Sequence, residues 1–328
     1  MTQIYLKESE KEGILSKNEK KIIRLLKFYL IPGWRDPEFS AIEQEIGKTK
    51  SKRRLFRRLL KPLTIAGFFM ILFIAICAVY APWFTEYTVE SITDSGLSGG
   101  TPFAPPSEEH PLGTTKYAYD ILARLIWSCR TALVFGLTTI IIAAIGGIIV
   151  GTTSAYFGGK TDSIIMRIVD LIMVFPALIL LILFVEMMGQ ELQIMLYLFG
   201  ILSIPAYSRL MRASVLQVKQ NLFVDAAKTG GAKNFKVMFI HIIPNAIAPI
   251  IISLFGGVGA AILGFASLAF LGFGDKSLPD WGSDINFART RFSQYYAAFW
   301  PGLFILIAVM GFMLIGDGLR DALDPKNK

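Results

Sequence analysis

Few side chains in this sequence could bind a metal or break a covalent bond. Its two histidines, His110 and His241, lie far apart in the chain. Its two cysteines, Cys77 and Cys129, form neither a CxxC pattern nor the framework of a disulfide-rich domain. We therefore predict no catalytic residue, no metal site and no cofactor in this chain.

The sequence also lacks a complete phosphate-binding loop. Two Gly-Lys-Thr fragments, at 47–49 and 159–161, resemble the end of the nucleotide-binding pattern Gly-x-x-x-x-Gly-Lys-Ser/Thr. The first glycine of that pattern would fall at Ile42 or at Ser154, so neither fragment fits. The chain is predicted not to bind ATP by this route.

The stretch at about 209–243 has the residue types of a docking element rather than of a reaction centre. It is basic, and it is predicted to be helical between two apolar runs. At its centre the sequence reads VDAAKTGGA (224–232), and HIIPN follows (241–245) directly before the next apolar run. A short helix held between two membrane spans could transmit force from a soluble partner.

Individual residues of this stretch have a physical interpretation. Ala226 and Ala227 would expose a thin helix surface that fits a groove on another protein, and Asp225 could pair with a cation there. Gly231 lets the chain turn out of the helix, where a Cβ atom would cost energy. Pro244 suits the first turn of the following helix, where no amide donor is needed.

Six apolar stretches are predicted to cross a membrane as helices. A span needs roughly 20 apolar residues, and 53% of this chain is hydrophobic whereas 18% is charged. The third stretch contains Arg167 and Asp170 on one helical face, and we expect them to pair with each other or to reach the interface. The predicted spans are 63–84, 131–157, 164–185, 192–208, 242–274 and 292–316.

The distribution of lysine and arginine predicts the side that each loop faces. Six basic residues lie between 52 and 61, before the first span, and six face a single aspartate in the segment between spans four and five. The loop 85–125 instead carries six acidic residues against two basic ones. The basic segments are predicted to be cytoplasmic and the acidic loop external, so both termini would be cytoplasmic.

The net charge of +8 belongs to the first 62 residues, which hold 16 Lys and Arg against 8 Asp and Glu. Apolar residues recur there at helical spacing among basic ones: Leu15, Ile22, Leu25, Leu26 and Tyr29. This pattern predicts either a basic amphipathic helix on the inner leaflet or a loosely structured topology signal. Membrane lipid, and not nucleic acid, is the expected partner of this charge. The predicted organisation is an arm (1–62), a first span with its external loop (63–130) and a core domain (131–328).

Small residues recur at a spacing of four in two of the spans. Gly147 and Gly151 form one GxxxG step, and Gly256, Ala260 and Gly264 continue one face of another span. Small residues let helix backbones approach closely in lipid. The contacts would lie within one subunit or between two subunits.

Several charged residues outside the segment have both a structural and a functional interpretation. His110, in the external loop, is expected to be solvated or to lie at an interface. Three aspartates before the sixth span would meet a partner protein or keep their loop solvated: Asp275, Asp280 and Asp284.

The segment and its surroundings resemble the permease subunits of binding-protein-dependent, ATP-driven importers. Residues 225–231 resemble the EAA loop of that family, Glu-Ala-Ala-x-x-x-Gly, with Asp225 in place of the glutamate. The HIIPN stretch resembles the His-x-x-Pro-Asn ending of the peptide-permease branch. The remaining matched positions are Ala226, Ala227, Gly231, His241, Pro244 and Asn245.

Further motifs of the peptide-permease branch appear in order along the chain. One departure concerns the external loop, where Ala118 and Tyr119 replace a Gly-Arg pair of the family while Asp120 remains. The matches are HPLGT (110–114), YFGG (156–159), MRIVD (166–170), FP (175–176), LAFLGFG (268–274) and GDGLRDALDP (316–325).

This resemblance implies an all-α integral membrane protein with six transmembrane helices and the MetI-like ABC importer permease fold. It implies the bacterial cytoplasmic (inner) membrane and di- or oligopeptides as substrates. The implied partners are a second homologous permease subunit, two ATP-binding subunits that hold ATP and Mg, and an extracytoplasmic peptide-binding protein. The seven matched residues would form the helix that couples this subunit to the ATPase.

Other functions are less compatible with the sequence. A permease for nickel or another small solute would share the same architecture, although nothing in the sequence resembles a metal path. An ion-coupled secondary transporter would predict buried charges at mid-span and an internal repeat, and neither is visible. A structural scaffold that binds lipid through its basic arm would leave the ordered motifs unexplained.

Overall fold

The longest helices of the protein coincide with the apolar stretches of its sequence. A computed structural model describes residues 61–94, 100–291 and 293–323, so the predicted basic arm lies outside it except for its last two residues. The described residues belong to one compact unit. Their helices of eight or more residues are α1 (Pro62–Val79), α2 (Ile121–Phe157), α3 (Gly159–Val174), α4 (Ala177–Met188), α5 (Leu192–Lys219), α6 (Leu222–Thr229), α7 (Ala248–Leu268), α8 (Trp281–Ala288) and α9 (Tyr296–Leu323).

Short turns connect these helices. A one-residue bridge also pairs Thr114 with Asp120 in the loop before α2. The turns are Ala81–Phe84, the 3-10 turn Glu90–Ile92, Asn234–Lys236, the π turn Val237–Ile242, Ile243–Ala246 and the π turn Ala269–Phe273. Five helices of the described residues are long and apolar enough to cross a membrane: α1, α2, α5, α7 and α9. The chain is therefore an all-α membrane protein.

The predicted third span, 164–185, is broken rather than continuous. α3 and α4 meet at an angle of 83°, and together they count as a sixth, bent span or as a re-entrant loop. The break falls at Phe175, which is extended (φ −85°, ψ 136°), and at Pro176. Proline has no amide donor and disfavours the helical conformation of the residue before it. The predicted third span is therefore made of two helices and not one.

The other spans also differ from their predicted limits. Three of them, α2, α5 and α9, extend further because the helices continue through charged residues. α2 begins at Ile121, ten residues before the predicted start, where the Asp120 carboxylate accepts a hydrogen bond from the Ala123 amide at 2.7 Å. α5 continues to Lys219 and α9 to Leu323, beyond the predicted ends at 208 and 316. α1 and α7 are shorter than predicted.

Two carboxylates on α3 attach it to α5. Asp162 accepts two hydrogen bonds from Arg212, from Nε at 2.7 Å and from Nη2 at 2.6 Å. Asp170 pairs with Arg209, so the expected pairing with Arg167 is wrong. The bidentate pair is half-buried and holds its geometry well. The Arg209 pair is exposed, and it contributes little to stability.

The helix backbones of α2 and α5 lie in direct contact at the predicted GxxxG step. A Cβ atom on Gly147 would lie 2.3 Å from Tyr207 Cβ, and one on Gly151 would lie 2.4 Å from the Ser208 carbonyl oxygen. Both glycines therefore serve packing within this subunit. Gly256 differs, because no heavy atom lies within 4 Å of the position of its Cβ.

A methyl group at Gly151 should push the two helices apart. We expect Gly151→Ala to lower the free energy of unfolding by about 1–3 kcal/mol, because a backbone carbonyl cannot move aside cheaply. Gly256→Ala is the matched control, and it should stabilise its helix by up to about 1 kcal/mol. Unfolding of the purified protein in detergent measures both, and equal effects at the two positions would contradict this account.

The motif HPLGT lies in the loop before α2 and makes contacts within that loop. His110 Nδ1 lies 3.0 Å from Asp120 Oδ2, and the side chains of His110 and Asp120 are 12% and 3% exposed, so His110 is only partly solvated. Gly113 has a φ of +81°, and its missing Cβ would meet the Ala104 carbonyl at 2.6 Å. Ala118 also has a positive φ of +63°, in the region that favours glycine, and it stands where the pattern that the sequence resembles has glycine.

A buried ion pair joins α2 to α8, the short helix before α9. Arg124 Nε donates to Asp284 Oδ1 at 2.5 Å, and both side chains are 3% exposed. The same guanidinium donates through Nη1 to the Ile92 carbonyl. Burial raises the pKa of Asp284 to about 6, against the lowering effect of the Arg124 charge. Asp284 therefore stays ionised at neutral pH, paired with arginine.

The other aspartates of the loop before α9 also make structural contacts. Asp280 is buried and accepts a hydrogen bond from the Ser283 amide at 2.8 Å, which caps α8. Burial raises the pKa of its carboxyl group. Asp275 accepts from the Leu192 amide at 2.9 Å at the start of α5. The expectation that Asp280 and Asp284 face solvent or a partner is wrong, because both carboxylates lie inside the protein.

Removing one partner of the buried ion pair should cost more than removing both. Asp284→Ala leaves the Arg124 charge buried without a counter-ion, and we expect a loss of about 3–5 kcal/mol in the free energy of unfolding. The double change Arg124→Met with Asp284→Leu should cost less, because no buried charge remains. Unfolding in detergent compares the two, and a double variant less stable than Asp284→Ala would rule this explanation out.

Candidate functional site

The connecting segment, defined here as residues 220–247 between α5 and α7, holds every residue that the sequence singled out for coupling. It has two arms. The first is α6, and the second runs from Asn234–Lys236 through the π turn Val237–Ile242 to Ile243–Ala246. α6 packs against the π turn, so the arms support each other. The residues in question are Asp225, Ala226, Ala227, Gly231, His241, Pro244 and Asn245.

α6 is anchored on one side and open on the other. Val224 is fully buried and fixes the helix to the core. Leu222 is 86% exposed, and Phe223 is also exposed. The side chain of Asp225 is 64% exposed, and its only ion pair within the described residues is a 3.5 Å contact with Lys228. An exposed pair of this kind is weak, so the carboxylate can exchange it for a cation on another protein.

The two alanines of the motif point in different directions. Ala226 is exposed, as predicted, and it presents the thin helix surface that a docking groove would need. Ala227 is half-buried and packs against the core. The interpretation of both alanines as one exposed surface is therefore wrong for Ala227. Adjacent residues on a helix project about 100° apart, so Ala227 faces the core while Ala226 faces outward.

Gly231 ends α6 through hydrogen bonds at its C-terminus. Its φ is +81°, in the left-handed region that favours glycine. The Ala232 amide donates to the Ala227 carbonyl at 3.1 Å, and the Gly231 amide donates to the Lys228 carbonyl at 3.0 Å. This pair of bonds is the Schellman motif. The predicted role of Gly231 in turning the chain out of the helix is confirmed.

The second arm has the same division between anchor and open surface. Val237 and Ile242 are fully buried. Phe235, Phe239 and Ile240 are exposed, and the rings of the two phenylalanines stack at 6.3 Å between centroids. Leu222 and Phe223 are exposed as well, so both arms of the connecting segment carry exposed apolar side chains.

The HIIPN residues shape the approach to α7. Pro244 lies in the first turn of Ile243–Ala246, as predicted, where a backbone amide would have no partner within the helix and its absence costs no hydrogen bond. Asn245 donates from Nδ2 to the main-chain carbonyl of His241 at 2.7 Å. This contact uses the backbone of His241 and fits a structural role for the motif.

Residues that the sequence reasoning missed join the end of α2 to the end of α5 and to the second arm. Lys219 donates from Nζ to the carbonyls of Ala155 and Tyr156, at 3.2 and 2.7 Å. Tyr156 Oη donates to Asn234 Oδ1 at 2.8 Å. The YFGG pattern marked Tyr156 as a match to the family, but no local feature indicated which residues it would contact.

The connecting segment has the properties of a docking surface. Within the ranges that the structure describes, no group of three His, Cys, Asp or Glu side chains is placed to hold a metal ion. The segment instead offers an exposed helix, apolar side chains and the exposed carboxylate of Asp225, whose ion pair with Lys228 is weak. Exposed apolar patches with a polar border are typical of protein interaction sites.

Comparison with known proteins identifies relatives over most of the chain. The chain is similar to the dipeptide transport system permease protein DppC of Alkalihalophilus pseudofirmus, 36% identical over 296 residues, which cover 89% of this chain and 96% of the relative. It is 36% identical to the glutathione transport system permease protein GsiD of Pectobacterium atrosepticum, over 84% of this chain and 91% of the relative. It is 35% identical to the di/tripeptide transport system permease protein DppC of Pseudomonas aeruginosa, over 80% of this chain and 88% of the relative.

A family model gives the same assignment. The model for the binding-protein-dependent transport system inner membrane component matches residues 143–328. This range contains the connecting segment, α5, α7 and α9. The chain belongs to the family of binding-protein-dependent transport system inner membrane components, as a multi-pass permease subunit of the MetI-like fold.

Proposed function

We propose that this subunit forms half of the translocation pathway of an ATP-driven importer of di- and oligopeptides, and that α6 is its coupling helix. The observation that carries the proposal is the form of α6. It is a short helix, buried through Val224, exposed through Asp225 and Ala226, and closed by the left-handed Gly231. Such a helix can enter a groove on a soluble partner without losing its own contacts to the membrane domain.

Docking of α6 follows from its surface chemistry. Ala226 would let the helix backbone approach the floor of the groove, because its side chain is a single methyl group. Asp225 would pair with a basic residue of the ATP-binding subunit. The exposed apolar side chains of the second arm, Phe235 and Phe239, would bury their rings at the edge of that contact. His241, Pro244 and Asn245 would hold the second arm in place.

The partners follow from what the chain contains and lacks. Its Gly-Lys-Thr fragments do not fit the phosphate-binding pattern, so ATP and Mg would be bound by two partner ATPase subunits. A second homologous permease would complete the pathway, and an extracytoplasmic peptide-binding protein would deliver the substrate. This subunit itself would break no covalent bond.

Movement of the ATP-binding subunits would drive transport through α6. Closure of these subunits around ATP would displace the connecting segment, and the pathway would switch from inward-facing to outward-facing. A ligand shifts such an equilibrium only through its differential affinity for the two states. Here the ATP-bound partner supplies that difference at the surface of α6.

Loop charge and one ion pair support the proposed orientation in the bacterial inner membrane. The connecting segment is basic and the loop before α2 is acidic, which favours a cytoplasmic location of the segment under the positive-inside rule. Lys61, before α1, pairs with Asp321 near the end of α9 at 2.6 Å. The start of α1 and the end of α9 thus share one side, as expected if both termini are cytoplasmic.

The peptide substrate is supported by the relatives. The three relatives described above are named for dipeptides, glutathione, and di- and tripeptides. All of these compounds are short peptides with free carboxylates. We therefore propose short peptides, rather than nickel or another small solute, as the transported compounds.

The composition of the native complex tests the proposed function. We expect purification through this subunit from mild detergent to recover two ATP-binding subunits and a second permease. Vesicles that contain the complex and its binding protein should accumulate a radiolabelled dipeptide only when ATP is present on the side of the membrane that carries the ATPases. Recovery of a homo-oligomer of this chain alone would contradict the proposal.

A charged side chain at Ala226 should separate the subunit from its ATPase. We expect Ala226→Arg to lower co-purification of the ATP-binding subunits at least tenfold, because the guanidinium would occupy the space of the groove floor. Membrane insertion should stay intact, since Ala226 is exposed. Quantitative mass spectrometry of the purified complex measures the ratio of subunits.

Glu109→Arg is the matched control for this change. It adds the same guanidinium at an exposed position in the loop before α2, away from the connecting segment. ATPase recovery should equal that of the unaltered complex. Unchanged ATPase recovery with Ala226→Arg would contradict the assignment of α6 as the docking helix.

A further inference from the structure

Two contacts meet at the last turn of α2. Lys219 is the final residue of α5, directly before the segment, and its ammonium group lies 3.2 Å from the Ala155 carbonyl and 2.7 Å from the Tyr156 carbonyl. Asn234 begins the second arm, and its Oδ1 accepts from Tyr156 Oη at 2.8 Å. The end of α5, from which the segment starts, and the second arm are therefore both tied to the last turn of α2.

Lys219 places a positive charge at the C-terminus of helix α2. The last carbonyls of a helix have no partner within it, and they carry the negative end of the helix dipole. α2 ends at Phe157, so the carbonyls of Ala155 and Tyr156 are of this kind. The Lys219 ammonium satisfies both and also lies 5.8 Å from the centre of the Tyr156 ring.

Tyr156 is largely buried, whereas its partner Asn234 is exposed. Ala155 is 1% exposed and Tyr156 is 7% exposed, and the hydrogen bond from Tyr156 to Asn234 is part-buried. A hydrogen bond that is partly removed from water is stronger than the same bond in full solvent. The contact therefore joins a buried side chain of α2 to an exposed residue of the second arm.

We propose that Tyr156, Lys219 and Asn234 form a clamp that carries displacement of the connecting segment into α2. This inference rests on the proposed function of α6. The three are positioning residues, since they act on α2 and not on ATP or peptide. α2 in turn contacts α5 through Gly147 and Gly151, so a shift at its end reaches the packed centre of the subunit.

The clamp assigns separate tasks to the two faces of the segment. The exposed face of α6 engages the ATPase, whereas the contacts of Tyr156 determine whether α2 follows. Loss of the clamp should leave docking and ATP hydrolysis in place. It should uncouple them from transport, because α6 could then move while α2 stays still.

The test changes one atom. Tyr156→Phe removes the hydroxyl and keeps the ring that packs under Lys219. In vesicles containing the whole complex and its binding protein, ATP hydrolysis and uptake of a radiolabelled dipeptide are measured in parallel. We expect ATP hydrolysis within about twofold of the unaltered complex and a fall of at least fivefold in dipeptide taken up per ATP hydrolysed. Tyr80→Phe is the matched control, because its hydroxyl makes no hydrogen bond within the described residues.

Variants of Asn234 distinguish a clamp from a general effect on folding. Asn234→Asp keeps an oxygen that accepts from Tyr156, so it should retain coupling, whereas Asn234→Leu should behave as Tyr156→Phe does. The double variant Tyr156→Phe with Asn234→Leu should lose no more coupling than Asn234→Leu alone, because both changes remove the same bond.

The outcomes are distinct. An unchanged ratio of uptake to hydrolysis in Tyr156→Phe overturns the clamp, and so does loss of the ATP-binding subunits from that variant, since the contact would then only support docking. Equal loss of coupling in Asn234→Asp and Asn234→Leu also overturns it. Failure of the unaltered complex to contain an ATPase, or to take up any dipeptide with ATP, overturns the proposed function and the clamp with it.

Discussion

The contact of α2 with α5 at Gly147 and Gly151 determines the placement of most other elements. Helices in lipid gain no hydrophobic free energy from pairing, so close packing of their backbones must hold them together. α2 is 37 residues long, and it also packs against α1 and α7. In its middle, Phe135 stacks on Phe265 of α7 at 4.3 Å between ring centroids. The alignment of α2 against α5 at these glycines determines which residues meet at either end of this block of packed helices.

Charges lie at both ends of the block, and each contributes to that register. At one end Arg124 and Asp284 connect α2 to α8. At the other end Asp162 accepts from Arg212, and Lys219 satisfies the last carbonyls of α2. α2 is uncharged from Thr131 to Phe157, as the cost of charge within a bilayer requires. A rigid unit with polar ends is suited to carrying movement from one side of the membrane to the other.

The sequence was sufficient wherever a feature depended on local chemistry. Uncharged runs predicted the spans, and Gly231 and Pro244 predicted turns, because neighbouring residues decide these features. It was insufficient wherever a distant residue decided the outcome. The burial of Ala227 depends on the core beneath α6, the pairing of Asp284 on a residue 160 positions away, and the contact of Tyr156 on one 78 positions away. The seven residues proposed for coupling all lie in the connecting segment, but the groups that hold the segment were not visible from the sequence.

The open surface of the connecting segment has a consequence for the life of the protein in the cell. Leu222, Phe235, Phe239 and Ile240 all have exposed side chains. Apolar patches that meet water promote aggregation and expose a protein to quality control in the cell. If the segment docks as proposed, a subunit without its partner would leave these side chains uncovered, and we expect it to be degraded faster than an assembled one. Its abundance would then follow the supply of the protein that covers it.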